Sequence, residues 1–337
     1  MLAHEHVDWE AVLAPHWDCS IERMRHHPLV LCVQDSTELD FTTQPGIAGL
    51  GPLSYRRQHG LYVHPTLAVT PDGVPLGVLD VWFWTRDRAT FGADKRHWPI
   101  EAKESMRWLE GFERCAELAE SLPDTHLVYV ADRECDIHAF MSRTRRWPGI
   151  DWLIRATHNR CLAEGDKLWD RLAQAPVPGE VTVTLSARPN RPSRPVVLTV
   201  RAERVTLSPQ GGEPVTVTAL RVREESPPAG VEPLDWRLLS NRPATTLAQA
   251  AELIQWYGAR WGIEDYHKSL KSNAALAKSP TRTLRTQQNH VFMTICAVFK
   301  LERLKMTHKL NHFALRAKLY VKAIQHAFSE LARLKVA

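Results

Sequence analysis

This chain of 337 residues lacks several features, and each absence excludes a class of protein. No apolar run approaches the ~20 residues of a membrane-spanning helix; "VFMTICAVF" from Val291, the longest in the C-terminal half, is far shorter. The opening "MLAHEHVDWE" has neither the basic nor the apolar region of a secretory leader, so the expected location is the cytoplasm, in association with the nucleoid. Six cysteines are scattered with no pair at zinc-finger spacing, which argues against a zinc module and for reduced, mostly buried thiols. Sixteen histidines include no His-x-x-x-His pair beside a glutamate on a convincing helix. Internal repeats and low-complexity tracts are absent too.

What remains is a composition of 44% hydrophobic and 24% charged residues, ordinary for a globular protein. The length accommodates one large domain with an insertion, or two domains. Net charge is only +5, but it is unevenly spread. Residues 251–337 hold fifteen Lys and Arg against five Asp and Glu, a net of +10, which leaves −5 on the preceding 250 residues. A basic C-terminal quarter on a mildly acidic body suits a polyanion partner, although a solvated basic surface has the same composition.

The pattern along the chain is that of an α/β protein. "PLVLCVQDS" reads as a buried strand ending at Asp35, and "LYVHPTLAVT" and "VPLGVLDVWFWT" as a hairpin turning at Pro71, Asp72 and Gly73. A helix is expected from Glu101, with Met106, Leu109, Phe112, Cys115 and Leu118 on one side. "HLVYVADRECDIHAFM" gives a strand ending at Asp132 and then a short helix, and "WLIRAT" gives another strand. Three alternating runs ("EVTVTLSA", "PVVLTVRAERVTL", "PVTVTALRVR") follow, with Pro- and Gly-rich connections, as an antiparallel β subdomain. The next helix is expected to cap near Thr245 or Thr246, and a basic helical tail begins near Thr281.

Two acids, Asp35 and Asp132, each follow a hydrophobic strand, where ligands collect in open α/β sheets. A third, Glu264, lies in "WYGARWGIEDYHKSLK". Read as one continuous helix at about 100° per residue, this stretch places Tyr257, Arg260, Trp261, Glu264, Lys268 and Lys271 within one arc. Trp256, Ala259, Ile263, Tyr266 and Leu270 form an apolar stripe opposite. Three converging carboxylates would suit Mg²⁺ or Mn²⁺, and two such ions about 3.5–4 Å apart suit phosphoryl transfer. Each acid also has a plainer reading: a strand-end Asp initiates turns, and a lone helical Glu is a solvated charge. Glu134 and Asp136 in "DRECD" read as caps of the following helix.

The spacing Tyr257-x2-Arg260-x3-Glu264-x6-Lys271 resembles the DDE transposases of bacterial insertion sequences, in the branch marked by a Tyr-Arg-Glu-Lys signature helix. "VLCVQDSTELDF" and "DRECDIHAF" are similar to the segments carrying that family's first and second Asp, and "GLYVHPTLAV", "KESMRWLEG" and "WLIRATHNR" are similar as well. The resemblance covers most of residues 28–280. It implies an RNase H-like mixed sheet flanked by helices, with an inserted antiparallel β subdomain and a helical C-terminal tail. It divides the chain into a short N-terminal segment (1–27), a first part of the core (28–158), an insertion (159–240), the signature helix (241–280) and the tail (281–337).

By the same resemblance, Asp35, Asp132 and Glu264 would bind two Mg²⁺ or Mn²⁺ ions and carry catalysis. Tyr257, Arg260, Lys268 and Lys271 would face DNA, and Trp261 and Trp236 would stack on a displaced base or, alternatively, pack in the core. Arg155 would reach a phosphate or form a salt bridge. The partners implied are double-stranded transposon-end and target DNA, and a second copy of the chain in a synaptic complex. Only 34 residues precede Asp35 and 73 follow Glu264, so the family's N-terminal DNA-end-binding domain is expected to be absent and the tail to follow a shorter branch. Three functions stay open: a transposase, a truncated non-catalytic regulator, and a structure-selective nuclease on the same fold.

Overall fold

The computed structural model describes residues 9–44, 46–95, 97–185, 192–208, 212–273, 276 and 283–310, with short pieces between 314 and 326. Among them, eleven strands form one mixed sheet. Strand β1 (Leu29–Gln34) is its hub, pairing antiparallel with β4 (His59–Val69) and parallel with β6 (His126–Ala131). β4 also holds β2 (Thr37–Asp40) and β3 (Gly51–Pro52), and forms the expected hairpin with β5 (Pro75–Trp84). β6 pairs parallel with β7 (Asp151–Arg155). Parallel central strands are covered on both faces, which is why β1 and β6 read as unbroken apolar runs.

Alternation along these strands supplies two cores. Leu31 and Val33 of β1, with Val128 and Val130 of β6, face helices α5 (Leu247–Ala259), α6 (Gly262–Lys268) and α7 (Leu284–Thr307). Val30 and Cys32, with Leu127 and Tyr129, face α2 (Met106–Glu120), α3 (His138–Arg143) and α4 (Leu168–Gln174). The product is a three-layer α/β/α arrangement, consistent with an RNase H-like transposase domain. No helix among the described residues is long and apolar enough to cross a membrane.

Two differences from the sequence reading have physical causes. The helix expected from Glu101 begins only at Met106, because residues around it close a separate 3-10 turn, Ile100–Ala102. The strands of the insertion, β8 (Gly179–Leu185), β9 (Arg194–Leu207) and β10 (Val215–Arg223), continue the core sheet through β11 (Asp235–Ser240). β11 pairs with β7 from Leu238 opposite Arg155 to Ser240 opposite Leu153, and so covers an edge β7 would otherwise expose. In the tail, α7 buries Val291, Phe292, Ile295, Val298 and Phe299 against the core. Residues 1–8 of the N-terminal segment, connections 186–191 and 209–211, and most of the tail past 310 lie outside the described residues.

Helix α1 (Trp9–Arg25) packs on β5, where His16 Nε2 accepts a 3.0 Å hydrogen bond from the Val78 N–H. Burial, with Arg23 and Lys300 adding, lowers His16 from 6.5 to about 4. The unfolded chain therefore takes up a proton that the folded chain refuses, so this stability is complete above pH 6.5 and lost as pH falls toward 4. Urea unfolding at pH 7 and pH 5 checks this: the wild type should weaken on acidification by about 1–2 kcal/mol more than His16→Gln, which keeps an acceptor for Val78 but cannot titrate.

Candidate active site

The in-register parallel pairing of β1 and β6 sets Gln34 opposite Ala131. The next residues, Asp35 and Asp132, therefore leave adjacent strands side by side at the same end of the sheet. Asp35 Oδ1 accepts from the Ser36 N–H at 2.7 Å, and Asp132 Oδ1 accepts from the Glu134 N–H at 2.8 Å. Asp132 is thus itself the cap of the short turn Arg133–Cys135, while the following helix α3, for which Glu134 and Asp136 were expected as caps, starts after Ile137 with no side-chain cap. Asp136 is instead buried and fastens the exit of β7, accepting from the Thr157 and His158 N–H groups and from Arg160.

The signature segment is not the single helix that a uniform 100° step assumes. α5 starts at a capping box in which Thr246 and Gln249 satisfy each other's backbone N–H groups. It ends at Ala259, between Gly258 and Gly262, which weaken a helix interior. Across the junction, Trp261, Ile263 and Glu264 donate to Gly258, Arg260 and Trp261, three residues back rather than four. A π turn, Ser269–Asn273, follows α6. Trp256, Ile263, Tyr266 and Leu270 are nevertheless buried as the apolar stripe requires.

Arg260 sits in that junction and ties the acids together. Its Nη1 donates to Asp35 Oδ2 at 3.0 Å and its Nη2 to Glu264 Oε1 at 2.6 Å, with only 10% of the Arg260 side chain exposed. Burial, reinforced by the neighbouring Asp132 charge, raises Asp35 from its ordinary value to about 7, against the pull of Arg260 and the Ser36 N–H; Glu264 adds a smaller upward push.

A second chain of contacts braces Asp35 from the opposite side. Arg107 of α2 donates to Ser36 Oγ at 3.2 Å and to Glu134 Oε2 at 2.6 Å, and Ser36 Oγ lies 2.9 Å from His64 Nδ1. Burial holds His64 well below its ordinary pKa, with Arg107 and His267 adding, so it is a neutral partner. Arg107 also lies over the Trp84 and Trp108 rings at 4.8 and 5.3 Å. Helix α2 approaches β1 so closely that a Cβ on Gly111 would stand 2.1 Å from Gln34 Nε2. None of Ser36, His64 or Arg107 was given a site role from the sequence, although they fall in "VLCVQDSTELDF", "GLYVHPTLAV" and "KESMRWLEG".

The other expected contacts divide. Trp261 is 45% exposed, and Lys268 and Lys271 are exposed, all on the segment that carries Glu264. Tyr257 is buried in the hydrophobic core, and its ring lies 5.2 Å from that of Trp236, which is half-buried and packs against the core edge-on to it. Arg155 is half-buried at the end of β7, opposite Leu238.

A family model of the transposase DDE domain matches residues 110–300, more than half of the chain. This chain belongs to that family. The matched span contains Asp132, Arg260 and Glu264, while Asp35 precedes it on the strand beside Asp132. Membership implies DNA as the substrate and suggests transposase activity. Among the described residues of this transposase, no three His, Cys, Asp or Glu side chains are disposed to hold a metal ion. The Arg260 guanidinium stands between two of the acids instead.

Removing that guanidinium leaves partly buried like charges facing one another. Arg260→Ala should cost about 3 kcal/mol at pH 7.5, and Asp35→Asn in the same chain should recover about half. A urea double-mutant cycle measures both, and additive losses would contradict the coupling.

Proposed function

We propose that this transposase nicks DNA at the ends of its mobile element and joins the freed strand to target DNA, with Asp35, Asp132 and Glu264 as its catalytic acids. The observation that carries this reading is the side-by-side exit of Asp35 and Asp132 from β1 and β6, with Arg260 linking Asp35 to Glu264. Residues 28–158 and 241–280 serve as the catalytic core, with residues 159–240 as the insertion.

The three carboxylates are the hard oxygen donors that Mg²⁺ or Mn²⁺ prefers, and the Asp132 charge, after burial, helps to raise the Asp35 pKa, which puts these two acids close together. Two such ions, when bound, would activate a water or 3′-hydroxyl and stabilise the departing oxygen of the phosphodiester. Arg260, Lys268 and Lys271 would hold end-DNA phosphates, and Trp261 offers an exposed ring for a displaced base. The burial of Tyr257 and its edge-on pairing with the half-buried Trp236 favour a supporting role, in which the ring pair holds the backbone that presents Arg260. Arg155, beside Tyr257, is assigned to a nearby phosphate. Strand transfer requires two ends, so the working species is assigned as a homodimer on DNA.

A second reading, a non-catalytic DNA-binding regulator, draws on the guanidinium between Asp35 and Glu264. Labelled element-end DNA incubated with Mg²⁺ or Mn²⁺ separates the two. Wild-type protein should nick it, and Asp132→Asn should lose at least about a thousandfold in rate while binding is retained. Binding without cleavage in either metal supports the regulator. Cleavage indifferent to the element ends supports a structure-selective nuclease.

A further inference from the structure

The Arg107 side of Asp35 opens into a cleft of about 310 Å³ between the chain leaving β5 and the start of α2. Arg86, Lys95, Lys103 and Arg107 line it against two carboxylates, Glu104 and Glu134, for a formal +2. Glu104 is shared, at 2.8 Å from Arg86 and 3.8 Å from Lys95, so one carboxylate faces two of these cations. Lys95 also lies over the Trp98 ring at 5.3 Å, which keeps its ammonium near the rim. On the other side of the turn Ile100–Ala102 a second cleft, of about 900 Å³, adds Arg143, Arg145 and Arg146 against Glu101 and Glu213.

The signature segment reaches Asp35 from elsewhere. Arg260 contacts Asp35 Oδ2, whereas Arg107 reaches Asp35 through Ser36, whose N–H binds Oδ1. Asp35 is therefore reached from two cationic walls, the signature segment's and the cleft's, and strand transfer brings two stretches of DNA to one phosphorus. We infer that the cleft of Arg86, Lys95, Lys103 and Arg107 binds the DNA backbone beyond the scissile bond: the flank before cleavage and the target after it. This rests on the catalytic reading above for where the scissile bond lies, but the cationic lining belongs to the fold.

The test uses the full-length chain and three labelled duplexes: an element end with its flank, the same end cut at the junction, and an unrelated sequence. Lys95→Ala/Lys103→Ala should weaken binding of the flanked and unrelated duplexes about three- to tenfold, with a salt slope shallower by about 1–2, and leave the pre-cut end within about twofold. Lys268→Ala, on the other wall, should weaken the pre-cut end. Unchanged thermal unfolding of each variant guards against lost structure. Equal loss on all three duplexes, or none on any, overturns the inference. The catalytic reading fails separately: if no metal supports nicking while the cleft variant still tells flanked from pre-cut DNA, the cleft stands alone. If nicking is metal-dependent but that discrimination is missing, only the cleft is wrong.

Discussion

The site depends on the register between two parallel strands. A one-residue slip of β6 against β1 would carry Asp132 to the other face of the sheet and move every apolar partner with it. That slip is opposed because both faces are buried: Leu127 and Tyr129 would exchange cores with Val128 and Val130. Hydrophobic packing in two layers thus fixes the position of two charged side chains at the strand ends. The acids are placed by residues that take no part in their chemistry.

Once so placed, the carboxylates repel one another. Asp35 is mostly buried beside Asp132 and near Glu264, and Arg260 is the main offset. Arg260 is carried where the helical backbone tightens, between Gly258 and Gly262, so the junction that interrupts α5 and α6 delivers the counter-charge. On the other side, Arg107, Ser36 and His64 form a braced set stacked on Trp84 and Trp108. Asp35 is held from both sides by groups whose own positions are locked by aromatic packing.

Much of this was legible in the sequence wherever the cause is local. The strands ending at Gln34 and Ala131, the Pro-Asp-Gly hairpin and the Thr246 cap follow from alternation, turn chemistry and capping over a few residues. The Tyr-Arg-Glu-Lys spacing survives the helix junction, so its residues could be found while the single-helix geometry assumed for them could not. The junction depends on two glycines whose effect propensity alone does not decide. Contacts such as Arg107 with Ser36, 71 positions apart, leave no periodic trace in the chain. The pairing of β11 with β7 is similarly remote, and only the run "DWRLLSN" reads in sequence as a return to the main sheet.

That pairing limits how the protein can be trimmed. Residues 159–240 are spliced into the sheet along β11, and Gly179 of β8 lies directly under Leu247 at the start of α5. Excising the whole segment would leave β7 with a raw outer edge and remove the lead-in that aims the chain carrying Glu264. A minimal version of this fold could shed the outer strands only if it kept β11 as a splint.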